Sequence, residues 1–318
     1  MRIRMKYILS ILLLAIAIVI VVVLGRIFEY VYLEFISHSH SYGLHCASCR
    51  KSGDTHARIP SHIHQVFFFE TSPEIPSDLV AARQTCLNIH PGYGYTLWNK
   101  TAINQLIDAH YPDVRELYES YDHWVKRADV ARYLVIHHYG GWYLDFDIEC
   151  LNSFDKLTNK AFKEKRSIVV RLTDPVGFSN DFIGSTPHHP FMAEIISSLP
   201  MSNRWFIFPY PSTVLVTGPT YFWGRFLNYV HQEEFLVVGN HSEYLHLKHG
   251  SSWHTWDGVL IWYFFNRAGF FFLIVFLAIM ALAVVLYRRR NIRQLIDLNR
   301  NFAPNKHMLL RDDITHLS

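Results

Sequence analysis

The chain has 318 residues, half of them apolar and only 18% charged, with a formal net charge of +3. That length suits one large domain or two small ones, and the apolar share is high for a chain wholly surrounded by water. Seven basic residues (Arg2, Arg4, Lys6, Arg288, Arg289, Arg290 and Arg293) lie near the termini and exceed the net charge, so the middle is neutral to slightly acidic and gives no sign of a nucleic-acid partner.

After a short tail (1–7), residues 8–24 are almost wholly Leu, Ile, Val and Ala, without a charge. At about 1.5 Å per residue such a run approaches the ~30 Å hydrocarbon core of a bilayer. The basic residues ahead of it also suit a cleavable signal peptide, but the run is long and no small-x-small pattern ends it, so a retained transmembrane helix is expected. Residues 25–58 read as a juxtamembrane stalk, rich in His and Ser. Within it His38, His40, His45, Cys46 and Cys49 offer a zinc site or a disulfide; the lack of a second Cys-x-x-Cys favours the disulfide. All four cysteines (Cys46, Cys49, Cys86 and Cys150) fall between the two apolar runs of the chain, and sequence leaves their pairing open.

A globular pattern extends over 59–265. The run 62–69 suits a buried strand, 76–88 a helix opened by Pro76, and 93–98 a second strand. Helices are expected over 101–110 and 113–121, separated by Pro112, and over 126–138, where Gly140-Gly141 ends the pattern. Strands follow at 142–144, 168–172 and 235–238, with helices at 190–198 and 220–229. Strands alternating with helices predict an α/β domain with a largely parallel central sheet. A second uncharged run, 269–287, ends at Arg288-Arg289-Arg290 and predicts another transmembrane helix, with 288–318 as a tail. Positive residues stay on the cytosolic side, so both spans independently put the termini in the cytosol and the middle in the lumen. The sequons Asn99-Lys100-Thr101 and Asn240-His241-Ser242 are usable only there.

Chemistry concentrates at Leu144-Asp145-Phe146-Asp147-Ile148. If the chain stays extended, Asp145 and Asp147 point the same way and can approach one ion together. Carboxylates so spaced suit Mg2+ or Mn2+, with diphosphate oxygens and water completing the shell. They fall at the carboxyl end of a strand, where open α/β sheets bind ligands. Upstream stand Arg127-Ala128-Asp129 and Arg132, then Tyr139-Gly140-Gly141-Trp142-Tyr143. Together with the opening Ile59-Pro60-Ser61-His62-Ile63-His64-Gln65, this series closely resembles the DXD-type glycosyltransferases of family 32, which include the yeast-type initiating α-1,6-mannosyltransferases and the inositol phosphorylceramide mannosyltransferases. The resemblance covers roughly residues 59–255.

The resemblance implies a GT-A (Rossmann-like) domain, here flanked by N- and C-terminal transmembrane helices, that binds a nucleotide sugar with Mn2+ or Mg2+. It makes Asp145 and Asp147 the metal and ribose-side ligands, with His254 or His249 completing the metal shell or touching the diphosphate. Asp129 and Arg132 would contact the donor sugar or its phosphates; a guanidinium suits either a phosphate or a fixing salt bridge. Tyr143, Asn180, Asp181 and Gly218 match pocket positions, while Phe67 and Phe68 stand where relatives often carry Trp or Tyr. The short stalk, the second span and the aromatic segment 256–265 resemble the layout of the inositol phosphorylceramide mannosyltransferases. That likeness implies a Golgi enzyme transferring mannose from GDP-mannose to a sphingolipid headgroup with retention, beside a regulatory membrane subunit. Two other readings are a transferase acting on glycoprotein glycans and a non-catalytic regulatory subunit of the same fold; the intact Asp129, Arg132, Asp145 and Asp147 weigh against the second.

Overall fold

A computed structural model describes residues 57–68, 74–173, 177–206, 208–239, 242–248 and 256–259, with single positions at 278, 282, 285 and 289. The first apolar run, nearly all of the second, most of the stalk with Cys46 and Cys49, and Asn240, His249 and His254 lie outside the described residues. Among the described residues no helix is long and apolar enough to cross a membrane. The chain divides into residues 1–257 and 258–318, and the architecture below belongs to the first unit.

The strands are β1 (His62–Val66), β2 (Gly94–Trp98), β3 (Gly141–Leu144), β4 (Ile148–Cys150), β5 (Ile168–Leu172), β6 (Phe178–Ser185), β7 (Phe235–Val238) and β8 (Leu245–Leu247). The helices are α1 (Ser77–Ile89), α2 (Lys100–His110), α3 (Arg115–Ser120), α4 (Trp124–Tyr139), α5 (Asp155–Lys163), α6 (Pro190–Ser202), α7 (Pro209–Val216) and α8 (Pro219–Asn228). Six strands form one sheet in the order β2-β1-β3-β6-β5-β7, and β4 pairs with β8 in a small separate sheet. The expected elements appear within a few residues, and Asn99 caps α2 by accepting the Ala102 N–H at 2.9 Å.

The sheet is less parallel than expected. The pairs β1/β2, β1/β3 and β5/β7 are parallel, but β6 runs antiparallel to both β3 and β5. Its sequence, Phe178-Ser-Asn-Asp-Phe-Ile-Gly-Ser, looks too polar for a central strand, yet every residue of it is buried. The short β4 and β8 and the helices α5 and α7 also went unforeseen.

Side chains alternate across the sheet with period two. Ile168 and Val170 enter one core with Tyr143, Val130, Leu134 and Phe222, while Val169 enters the other with Trp142, Leu144 and Phe154. Helices therefore cover both faces. Between α4 and β3 the chain reverses through Gly140 and Gly141, both at positive φ (63° and 87°). A Cβ on Gly141 would stand 2.6 Å from the His62 carbonyl oxygen, so only glycine lets β3 reach β1 here.

One covalent tie supports the small sheet. Cys86 of α1 is bonded to Cys150 of β4, 64 residues apart. Beside it the Cys150 N–H donates to Thr85 Oγ1 (3.0 Å) and the Phe154 N–H donates to His90 Nε2 (2.9 Å). Closing so long a loop before folding removes disorder from the unfolded chain. Non-reducing peptide mapping should recover Cys86 joined to Cys150, and replacing both by Ser should lower unfolding stability by about 3 kcal/mol in denaturant titration.

Candidate active site

At the carboxyl end of β3 the chain leaves the sheet at Leu144 and turns at once. The Ile148 N–H donates to the Asp145 carbonyl oxygen at 3.2 Å, closing a turn over Asp145, Phe146 and Asp147. The extended course expected from sequence is thus replaced by a turn. The Asp145 carboxylate still lies near enough to raise that of Asp147, across a turn rather than by strand alternation. The turn is held from several sides. The Asp145 N–H donates to the Asp181 carbonyl oxygen (2.9 Å), the Lys248 N–H donates to the Asp147 carbonyl oxygen (2.9 Å), and the Phe146 ring packs edge-on against Phe67 at 5.3 Å.

Asp129 and Arg132 lie one turn apart on α4 because their spacing of three residues puts both on one face. Both side chains are buried and paired, Arg132 Nη2 to Asp129 Oδ1 at 3.2 Å. Arg132 Nη1 also reaches Asp145 Oδ2 at 3.2 Å and the Asn180 carbonyl oxygen at 2.9 Å, and the guanidinium lies 4.7 Å over the Tyr143 ring. Arg132 thus forms the fixing salt bridge, one of the two roles that a guanidinium suits here. The oxygens of Asp129 are further occupied by Asn180 Nδ2 and Thr217 Oγ1, each at 2.9 Å. Tyr133 completes this set, accepting from Asn180 Nδ2 (2.9 Å) and donating to the Thr217 carbonyl oxygen (2.6 Å).

Tyr143 donates its hydroxyl to Asp145 Oδ1 at 2.7 Å, so both Asp145 oxygens are held in place while retaining free lone pairs. Asp181 pairs with the buried Arg171 of β5. Gly218 opens α8 directly after Thr217, with its N–H donating to the Thr213 carbonyl oxygen at 3.0 Å. The structure thus joins Asp129, Arg132, Tyr143, Asp145 and Asn180 in one hydrogen-bonded cluster and sets Asp147 and Asp181 beside it, while His249 and His254 lie outside the described residues.

Sequence reasoning gave no role to Arg171, Gln65 or Tyr133. Gln65 Nε2 donates to the Asp145 carbonyl oxygen at 3.4 Å and is itself held by the Tyr95 hydroxyl at 3.0 Å. A lone Arg inside the apolar strand Ile-Val-Val-Arg-Leu was the available signal, since a buried guanidinium demands a carboxylate.

Negative charge outweighs positive at the turn. Burial pushes the Asp145 carboxyl up to about 6, with Asp181 and Asp129 adding to the rise and Arg132 and Tyr143 opposing it. Asp147 is pushed up to about 7 by burial, then by Asp145 and Asp181. Burial also raises Asp129 against the pull of Arg132, Thr217 and Asn180. Among the described residues no three His, Cys, Asp or Glu side chains converge to hold an ion. The chemistry nonetheless fits a hard divalent cation: oxygen donors near one another whose repulsion a cation would relieve.

The profile described as the glycosyltransferase sugar-binding region containing the DXD motif matches residues 76–163. Inositol phosphoceramide mannosyltransferase 1 of Schizosaccharomyces pombe is 33% identical over 250 residues, 73% of this chain and 76% of that protein. Inositol phosphoceramide mannosyltransferase 2 of the same organism is 35% identical over 219 residues (64% of this chain, 61% of that protein). A mannosyl phosphorylinositol ceramide synthase of Saccharomyces cerevisiae is 34% identical over 212 residues (63% and 54%). The glycosyltransferase domain of the YGT toxin in its UDP-bound crystal structure shares 10% identity over 63% of this chain and 82% of that one, at a TM-score of 0.41, too loose a likeness to place any residue. The chain belongs to the DXD-type glycosyltransferases. Within them it falls in the family of the inositol phosphoceramide mannosyltransferases, although it spans less than two thirds of the length of several of those relatives.

Two outcomes follow from this geometry. Arg132→Gln leaves Asp129 and Asp145 without their cation; unfolding stability should fall by about 3 kcal/mol, the lower end for breaking a buried pair because the Asp145 side is partly open. Cation binding needs ionised carboxylates, and the folded pKa values of Asp145 and Asp147 lie above the ordinary carboxylate value. The ion-free fold therefore loses the stability contributed by these two groups as pH rises from about 4 through about 7, where both ionise. Mn2+ affinity runs the opposite way: calorimetry should show it weakening by at least about tenfold between pH ~7.5 and ~5.5, with proton release on binding near pH ~6.

Proposed function

We propose that the chain is a metal-dependent retaining mannosyltransferase that moves mannose from GDP-mannose to inositol phosphorylceramide. The observation that carries this is the Asp145–Asp147 turn, locked to Arg132 at the carboxyl end of β3, in a member of a family whose relatives bear mannosyltransferase names. A bound Mn2+ or Mg2+ ion would supply charge neutralisation for the departing diphosphate. Asp145 and Asp147 would hold it, and the resemblance proposes His249 or His254 as a further ligand; both come after Lys248 in sequence, and the Lys248 N–H is bonded to the Asp147 carbonyl oxygen.

The remaining work falls to the protein's own side chains. Arg132 and Tyr143 hold the Asp145 carboxylate in one orientation, so little rearrangement accompanies donor binding. Arg171 restrains Asp181, leaving Asp147 as the carboxylate with the greatest incentive to bind a cation. Asp129, Asn180 and Thr217 are bonded together on the α4 side of the turn, with Gly218 next in sequence, and the donor sugar would lie on that side. In transfer the bond from the anomeric carbon to the diphosphate oxygen breaks and one to an acceptor hydroxyl oxygen forms, with configuration kept.

The setting proposed is a Golgi membrane, with residues 8–24 and 269–287 as spans, a lumenal domain over 59–265, cytosolic tails and a regulatory membrane subunit as partner. The buried Cys86–Cys150 disulfide supports an oxidising compartment, and exposed Asn99 keeps its side-chain nitrogen clear for a glycan while its oxygen caps α2. The test is transfer by the solubilised full chain, with its partner, from GDP-mannose to inositol phosphorylceramide. Wild type should form mannosyl-lipid only with Mn2+ or Mg2+, and Asp147→Ala should lose at least about 100-fold in rate. Transfer to glycoprotein glycans alone would replace the lipid acceptor, and a folded protein that binds no nucleotide sugar would remove the enzyme assignment.

A further inference from the structure

Four large aromatic side chains remain in solvent on one flank. Trp205 is 83% exposed, Trp256 68%, Phe208 46% and Trp124 41%. Separate bonds gather the segments that carry them. Asn203 Nδ2 donates to Ser120 Oγ (3.2 Å), Lys126 Nζ donates to Ser212 Oγ (2.7 Å), and the Tyr210 N–H donates to Asp257 Oδ2 (2.9 Å). The rings of Phe208 and Trp256 meet edge-on at 6.2 Å. The start of α4, the loop 203–208, the start of α7 and residues 256–257 therefore share a side of the domain.

That side adjoins the site. Helix α4 begins with Trp124 and carries Asp129 and Arg132 within its next turns; α7 begins beside Phe208 and leads to Thr217, which holds Asp129. An exposed Trp offers an apolar body and one polar N–H, the balance suited to headgroup depth in a bilayer. Exposed Arg204 stands next to Trp205, with a guanidinium suited to lipid phosphate. In sequence, Trp256 is followed by Trp262-Tyr263-Phe264-Phe265 and then by the uncharged run 269–287.

We propose that Trp205, Phe208, Trp256 and Trp124 form a bilayer-docking face that seats the domain on the headgroup layer and sets the sugar-transfer site at the depth of a lipid headgroup. This rests on the lipid-acceptor reading for its kinetic consequence only. The test uses the full chain reconstituted in phosphatidylcholine vesicles, with lipids brominated near the headgroup or at mid-chain. Headgroup-proximal bromine should quench a share of the tryptophan emission that disappears in Trp205→Phe and in Trp256→Phe, and mid-chain bromine should quench it less. Emission from Trp205 and Trp256 that is equal in brominated and plain vesicles overturns the proposal, as does quenching protection that appears only when the partner subunit covers the face.

The kinetic arm compares wild type with Trp205→Gln/Phe208→Gln, both lying outside the site. The double variant should raise the KM for inositol phosphorylceramide, expressed as mole fraction in the vesicle, by about tenfold. Donor hydrolysis and transfer to a water-soluble inositol phosphate acceptor should be unchanged. Equal loss on the soluble acceptor marks damage to the fold and overturns the assignment of these residues, as does an unchanged lipid KM. If wild type mannosylates neither acceptor while the face is quenched, the lipid-acceptor function falls and the docking face stands.

Discussion

The buried guanidinium of Arg132 joins a helix to the end of a strand. It meets Asp129 on its own helix, Asp145 at the strand end and the Asn180 carbonyl of the neighbouring strand, with Tyr143 against its face. In a medium of low polarity an ion pair of this kind is weak as net stabilisation, yet removing one member leaves charges that nothing else can solvate. The geometry of the turn therefore depends on it. Any shift of α4 along the sheet would break the Arg132–Asp145 pair and the bond to the Asn180 carbonyl at once, and Asp129 is itself fixed by Asn180 and Thr217 from outside its helix.

The same region is electrically unfinished. Asp145, Asp147 and Asp181 crowd one edge, while the buried cations facing them are Arg132 and Arg171. Burial and mutual repulsion lift Asp147 close to neutrality, so the ion-free domain carries a carboxylate that would rather hold a proton. Function and folding pull in opposite directions here. The arrangement that suits a hard cation is the one that costs stability without it, and the aromatic and disulfide-bonded surroundings hold the turn against that cost.

Much of the fold could be read from the chain because most elements announce themselves through period or punctuation. The glycine pair after α4 and the apolar strands fell close to expectation. What escaped were elements whose character comes from their neighbours. Strand β6 looks polar because Asn180 serves Asp129 and Asp181 serves Arg171, partners invisible in a linear reading. Strands β4 and β8 have three residues each and exist through each other. Within the site, the acidic pair was legible as a motif, but the extended course that would align its side chains is not the one the chain takes. A turn, closed between Asp145 and Ile148, carries both carboxylates instead. Arg132 was recognised as important, and the three-dimensional contacts show which carboxylates it pairs with.

The pairing of β4 with β8 bears on how such a domain is born. Asp147 receives its outer backbone hydrogen bond from Lys248, and the side chain of Lys248 reaches Glu149 across 99 positions of sequence. A chain made from the amino terminus onward can assemble the Arg132 cluster and close the Cys86–Cys150 bond long before β8 has been synthesised. The nascent domain would thus pass through a stage with its sheet nucleus built and its acidic turn bound on one side only. The outer hydrogen bond of the acidic turn then arrives late in biosynthesis, after the helix and strands that hold its inner side are already in place.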